Sequence, residues 1–246
     1  MDRAIYTAMS GAKSTLAQQT SVGHNLANAS TDGFKAELHR LRAVPVVSNA
    51  LPTRAFVVDA SVANDLTPGA LQKTGRSLDV AIKGDGWFAV QTPDGREAYT
   101  RAGRFEVSAN GELVTEQGLQ VLGEGGPIAL PPDNRYEIAA DGTVSAVPTT
   151  GNRNAAEVVG RLKLVNPPAA QLTRSDDGLF RLPNGVAADA DPNVSVASGF
   201  VEASNVNPVD QMVQMISLSH LFETQTRLMT TVDTNAKAAD QILTFG

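Results

Sequence analysis

All thirteen prolines lie between Pro45 and Pro208, and 17 of the 21 glycines fall between residues 34 and 208. Proline and glycine punctuate turns and break helices. The partition therefore restricts long helices to the two ends of the chain and makes the middle turn-rich.

The N-terminal end carries Ile5, Met9, Ala12, Leu16, Gln19, Gly23 and Leu26 at alternating spacings of four and three. That spacing places them on one face of a helix. A helix over residues 2–30 would be roughly 43 Å long. It is expected to stop near Thr31-Asp32-Gly33-Phe34, with Gly33 as a left-handed C-terminal cap and Phe34 as the apolar contact after it.

The C-terminal end opens on Asn207-Pro208-Val209-Asp210. Asn207 can cap, Pro208 suits the first helical position and Asp210 favours the helix dipole. Apolar residues recur from Met212 and Ile216 through Leu221, Phe222 and Leu228 to Val232 and Ile242. Within that run Leu218, Leu221, Gln225, Leu228, Val232, Asn235, Ala239 and Ile242 follow 3-4 spacing. Residues 1–44 hold five basic and three acidic side chains, residues 205–246 two and four. The two ends thus have opposite charge, a weak reason to pair beside the stripes themselves. A lone amphipathic helix is marginal in water, so each end needs a partner. The stripes would serve either as a private core or as an interface. Gln19, Gln225 and Asn235 within them favour an interface with other chains, because polar seam residues set register and partner choice at a cost in stability.

The middle reads as β structure. Leu78, Val80 and Ile82 alternate, Trp87-Phe88-Ala89-Val90 follows Gly84-Asp85-Gly86, and turn signals recur at Asp94-Gly95, Asn110-Gly111, Asp141-Gly142 and Asp177-Gly178. Short runs such as 112–115, 143–145 and 179–182 flank them, which suggests a small sandwich or irregular barrel. Residues 34–76 show few clear elements and read as an extended connector. The fold class expected is α+β: terminal helices pairing as a coiled coil (1–33 and 205–246), the connector 34–76, and an inserted all-β domain over 77–204.

Composition removes several functions. The formal charge is −6 and the pI about 5.1, against a phosphate-driven nucleic-acid binder. No cysteine is present, so thiolate metal sites, disulfides and cysteine nucleophiles are excluded. No run approaches 18 apolar residues, so no membrane insertion is expected. The opening residues lack the apolar core of a cleaved signal peptide. Ser10-Gly11-Ala12-Lys13 matches S-x-x-K, Lys73-Thr74-Gly75 matches K-T-G and Ser108-Ala109-Asn110 resembles S-x-N. In serine acyl transferases of the penicillin-recognising type, however, S-x-N precedes K-T-G. Gly84-Asp85-Gly86-Trp87-Phe88-Ala89 has dinucleotide-fingerprint spacing but is followed by a strand pattern instead of a helix. Asp189, Asp191 and Asn193 have calcium-loop spacing, yet Val194 and Phe200 stand where Gly and Glu belong. His24, His39 and His220 are scattered. No catalytic residue, cofactor or metal site is expected, and the chain reads as a non-enzyme.

His24-Asn25-Leu26-Ala27-Asn28-Ala29-Ser30-Thr31-Asp32-Gly33-Phe34-Lys35 resembles the N-terminal signature of the flagellar rod and hook family, and Ser204-Asn205-Val206-Asn207-Pro208-Val209 resembles its S-N-V-N start to the C-terminal helix. Gly86-Trp87-Phe88-Ala89-Val90, Tyr99-Thr100-Arg101-Ala102-Gly103-Arg104-Phe105 and Asn110-Gly111-Glu112-Leu113-Val114 are similar to its central β pattern. Met1-Asp2-Arg3-Ala4-Ile5-Tyr6, Leu41-Arg42-Ala43-Val44-Pro45-Val46 and Gly160-Arg161-Leu162-Lys163-Leu164-Val165 incline the likeness to the proximal-rod branch, with the distal rod subunit as the nearest rival. The resemblance implies a structural subunit of the bacterial flagellar basal-body rod that transmits torque from motor to hook. It implies export through the flagellar type III apparatus without a cleaved signal, assembly in the periplasm, and copies of itself and other rod proteins as partners. Joined to the stripes, it gives an expected assembly interface of Ile5, Met9, Ala12, Leu16, Asn25, Leu26, Asn28, Gly33, Phe34, Asn205, Asn207, Met212, Ile216, Leu221, Phe222, Leu228, Val232 and Ile242.

Overall fold

The computed structural model describes residues 2–45, 55–149 and 156–244. They form two compact units. One comprises Met1–Ala29, Ala36–Asp65 and Val206–Gly246, the other Ser30–Lys35 and Leu66–Asn205.

The first unit is built on two helices, α1 (Asp2–Ala27) and α2 (Pro208–Thr244). α2 starts as its sequence dictates: Pro208 occupies the first position and the Val209 N–H donates to Asn207 Oδ1 at 3.1 Å. α1 ends earlier than its sequence suggests. The chain leaves the helix after Ala27, where the His24 carbonyl accepts both the Asn28 N–H at 3.2 Å and Asn28 Nδ2 at 2.9 Å. Gly33 is left-handed, with φ +70°, but it lies six residues beyond that end and forms no helix cap. The helices run antiparallel: Asn25 lies against Gln211, Gln19 against Ser219 and Thr15 against Gln225. Counted along from the Thr15–Gln225 contact, α2 outruns the start of α1 by about six residues, or roughly 9 Å.

Residues 34–76, expected as an extended connector, contain two long strands, β1 (Glu37–Pro45) and β2 (Ala55–Asn64), paired antiparallel with a register shift after Arg40. The β-branched and aromatic run Phe56-Val57-Val58 suits a strand.

In the second unit every described strand pairing is antiparallel. The largest sheet runs in the order 173–174, 180–181, 97–100, 87–91, 120–123, 113–115, 105–107. The strand Trp87–Gln91 explains the unbroken apolar run seen in the sequence, because it is buried on both faces. Phe88 packs edge-on against Phe105, ring centroids 5.1 Å apart, in a cluster with Val80, Leu113 and Val144. On its other face Trp87 lies 4.5 Å from Phe180, beside Tyr99 and Val165. The Asp-Gly and Asn-Gly pairs close tight turns; at Asn110-Gly111, for example, the Gly111 N–H donates to Ser108 O and φ is +79°.

Two outcomes test this core. Phe105→Ala should cost about 3–5 kcal/mol in equilibrium denaturation, while Val158→Ala, on a side chain 66% exposed, should stay within about 0.5 kcal/mol. Tyr99 is fully buried and accepts the Ala188 N–H at 2.7 Å; burial pushes its phenol up to about 12. The unfolded phenol ionises near 10 and the folded one does not, so stability should fall as pH climbs from about 10 to about 12. Tyr99→Phe should flatten that decline in pH-dependent melting.

Candidate functional site

The helical unit carries the surface that the sequence singles out, with its phase altered. On α1 the buried residues Ala8, Ala12 and Val22 share the 4-3 face of Thr15 and Gln19, which bond to α2. Met9 and Leu16, expected at the assembly interface with other chains, stand 53% and 54% exposed. On α2 the half-buried positions Gln211, Met215, Leu218, Gln225, Met229 and Val232 follow one heptad face, with Phe222 at its margin. Met212, Ile216, Leu221 and Leu228 lie outside it and are exposed. The reason is steric. Ala8, Ala12 and Gly11 allow the helices close approach, and a Cβ at Gly11 would sit 3.0 Å from Gln225 Nε2. Large side chains are thereby turned outward. Val209, Met212, Val213 and Ile216 form an exposed i, i+3, i+4, i+7 stripe on α2, and Tyr6, Met9 and Leu16 a second one on α1. Ile5 and Leu26 are half-buried, as is Val232 on the seam. The side chain of Ile242 lies outside the described residues.

Signature residues of the N-terminal motif are engaged within the chain. Asn25 is 3% exposed and pairs with the backbone of Glu37 as a strand would: its Nδ2 donates to Glu37 O at 2.9 Å and its Oδ1 accepts from Glu37 N at 2.8 Å. The Glu37 carboxylate in turn accepts from Ser21 Oγ and lies 3.0 Å from His24 Nδ1. These contacts fasten the start of β1 to the last turns of α1.

In the second unit, residues 30–35 meet the strand Phe200–Glu202. The Gly33 N–H donates to Glu202 O at 2.7 Å, and a Cβ on Gly33 would fall 2.3 Å from Ala102 N, so only glycine fits there. Gly103, in the same motif, comes as close to the Val80 carbonyl: a Cβ would sit 1.7 Å from its oxygen. Phe34 is buried under the Arg174 guanidinium, 4.5 Å from the ring centroid, and Arg174 Nη1 donates to Lys35 O. Asn205 donates through Nδ2 to Thr67 O at 3.2 Å.

Beneath them lies a buried ion cluster that sequence reasoning missed. Glu202 Oε1 accepts from Lys35 Nζ at 2.6 Å and from Gly69 N at 2.9 Å; its Oε2 accepts from Arg101 Nη1 at 3.0 Å. All three side chains are at most 2% exposed. Two cations face one anion, and the surplus charge is spread over the Thr67 carbonyl (2.8 Å from Lys35 Nζ), the Gly84 carbonyl (2.9 Å from Arg101 Nη2) and the Trp87 ring, 5.3 Å from the guanidinium. The available signal was one glutamate inside the apolar run Phe200-Val201-Glu202, with a lysine and an arginine each inside a family motif. Geometrically the cluster is a fastener.

The other candidates resolve plainly. Asp191 Oδ1 accepts both N–H groups offered by Asn193, at 2.9 Å each, as a turn would. Among the described residues no group of three or more His, Cys, Asp or Glu is placed to hold a metal, and no helix is long and apolar enough to cross a membrane. Replacing Glu202 by Ala would remove the carboxylate that the two buried cations share. It should cost about 3–5 kcal/mol in urea unfolding, and a loss below about 1 kcal/mol would contradict the fastener assignment.

Three family models match the chain: a flagella basal body rod protein model over residues 5–35, a flagellar hook protein FlgE/F/G D1 domain model over 81–146, and a flagellar basal body rod FlgEFG protein C-terminal model over 197–242. The chain is 48% identical to the flagellar basal-body rod protein FlgF of Salmonella typhimurium and 49% identical to that of Escherichia coli, covering all of both chains in each case. To the flagellar basal-body rod protein FlgG of Bacillus subtilis it is 32% identical, over 95% of this chain and 96% of the relative. With fold, motifs and full-length identity in agreement, the chain belongs to the flagellar basal-body rod protein family, in its FlgF branch.

Proposed function

We propose that this chain is a structural subunit of the proximal basal-body rod, non-catalytic, that transmits torque through contacts made by its terminal helices. The observation that carries the reading is the pair of exposed apolar stripes on α1 and α2. Contiguous apolar surface of this kind marks a place where another protein docks, and each side chain covered returns about 1.5–3 kcal/mol. Many such contacts along a shaft resist torsion together, because close-packed side chains cannot slide singly. The partners in this reading are copies of the chain and other rod subunits, and the place of assembly is the periplasm. Passage through the flagellar type III export apparatus, without a cleaved signal, suits a chain with no cysteine. The distal-rod alternative is disfavoured by the lower identity to FlgG. The acyl-transferase alternative is disfavoured by the order of its motifs.

The stripes give the test. Leu16→Asp combined with Ile216→Asp should abolish swimming and incorporation into purified basal bodies, while the melting of the isolated chain's β unit stays unchanged. Ser10→Ala should swim normally. Full motility of the double variant would overturn the reading, as would loss of motility in Ser10→Ala with normal incorporation.

A further inference from the structure

The seam between α1 and α2 contains a shape-matched contact. Gln225 points its carboxamide at α1, where Thr15 Oγ1 donates to its Oε1 at 3.1 Å. Its Nε2 lies 3.0 Å, and its Cδ 3.5 Å, from where a Cβ on Gly11 would sit. Thr15 is one turn beyond Gly11, and its one hydroxyl proton is shared between Gln225 Oε1 and the Gly11 carbonyl, which lies 3.0 Å away. Gly11 and Thr15 therefore make a socket that is open because position 11 lacks a side chain and is lined by a hydroxyl one turn on.

Two other polar contacts cross the seam, Gln19 Nε2 to Ser219 Oγ at 3.2 Å and Asn25 Nδ2 to Gln211 Oε1 at 3.4 Å, and the apolar positions beside Gln225 are degenerate. Leu218 stands one heptad before Gln225 and Val232 one heptad after it. An apolar 4-3 seam matches itself when one helix slides by seven residues, about 10.5 Å. Hydrophobic burial alone does not choose among those positions. A slide that brings Leu218 to the socket would carry the Gln225 carboxamide to Ala4 and Ala8, and one that brings Val232 there would carry it to Gln18 and Val22; either empties the Thr15 contact.

We propose that Gln225 is a positioning residue: seated in the Gly11–Thr15 socket, it fixes the axial register of α2 on α1. Register decides where the outward stripes stand relative to one another. A one-heptad slip would carry Ile216, Leu221 and Leu228 about 10.5 Å along Met9 and Leu16, and would lengthen the α2 overhang by the same amount or remove it. The consequence for rod building rests on the function proposed above; the register itself does not.

The absence of cysteine from the chain makes register directly readable. Cysteine pairs would be placed in the full chain, Gln19→Cys with Ser219→Cys for the register described here, and Gln19→Cys with Met212→Cys or Thr226→Cys for slips of one heptad in either direction. Intramolecular disulfides would be scored on non-reducing gels after mild oxidation of the purified protein. With Gln225 present, the 19–219 disulfide should exceed either slipped one by about tenfold or more. In Gln225→Leu, which strengthens the apolar seam, helicity should persist and the slipped disulfides should rise to within about threefold of the 19–219 product. Gly11→Leu, which fills the socket and leaves Gln225 in place, should shift the ratio the same way. A 19–219 disulfide that stays dominant in both variants would overturn the proposal. So would failure of all three pairs to cross-link with Gln225 present, or loss of every cross-link in Gln225→Leu with helicity retained. The ratio is read without cells, so it can fail while the motility test succeeds, or the reverse.

Discussion

α1 turns its small and polar side chains toward α2 and its large apolar ones away. Ala8, Ala12, Thr15 and Gln19 occupy the inner face, and Tyr6, Met9 and Leu16 the outer one. Close approach of two helices requires small residues between them. Once that contact is made there is no room in it for Met9 or Leu16. The same division appears on α2, where Val209, Met212, Val213 and Ile216 stay exposed while the heptad face through Met215, Leu218 and Gln225 is covered. The helical unit is thus closed on one side by modest contacts and open on the other. A chain that leaves its larger apolar residues outside its own pairing is built to be completed by its neighbours.

The second unit solves a different problem, which is to hold segments far apart in sequence at one point. Glu202 binds Lys35 and Arg101 at separations of 167 and 101 residues. Buried ion clusters of this kind contribute little net stability relative to apolar packing, but they are costly to break and they tolerate few alternative geometries. Gly33 and Phe34 are set by the same constraint, one by backbone approach and the other under Arg174. Asn25, Gly33 and Phe34 of the N-terminal motif are thereby engaged within the chain, while most of the exposed stripe residues lie outside the quoted motifs.

Much of the architecture is legible in local chemistry. The confinement of proline to the middle marks both helices, Asn207-Pro208 marks the start of α2 to the residue, and the Asp-Gly and Asn-Gly pairs mark hairpin turns, because each depends on backbone preferences within a few residues. What the sequence hides depends on contacts. The 4-3 pattern of α1 can be phased in two ways: the stripe through Met9 and Leu16 faces outward, and Ala8, Gly11, Ala12 and Gly23 are the small-residue signal for the face that meets α2. β1 and β2 escape notice because their pairing joins residues such as Glu37 and Asn64 across a long gap. Gly33 imitates a helix cap while serving a close approach to Ala102 that only the fold reveals.

The central claim, that the outward apolar stripes of α1 and α2 are covered by neighbouring chains in the rod, is tested most directly by thiol labelling of Ile216→Cys in an otherwise cysteine-free chain. A membrane-impermeant maleimide should label this position rapidly and completely in the purified protein and leave it unlabelled in intact basal bodies, with labelling restored when the rod is dissociated. Equal labelling in the free and the assembled states would contradict the account.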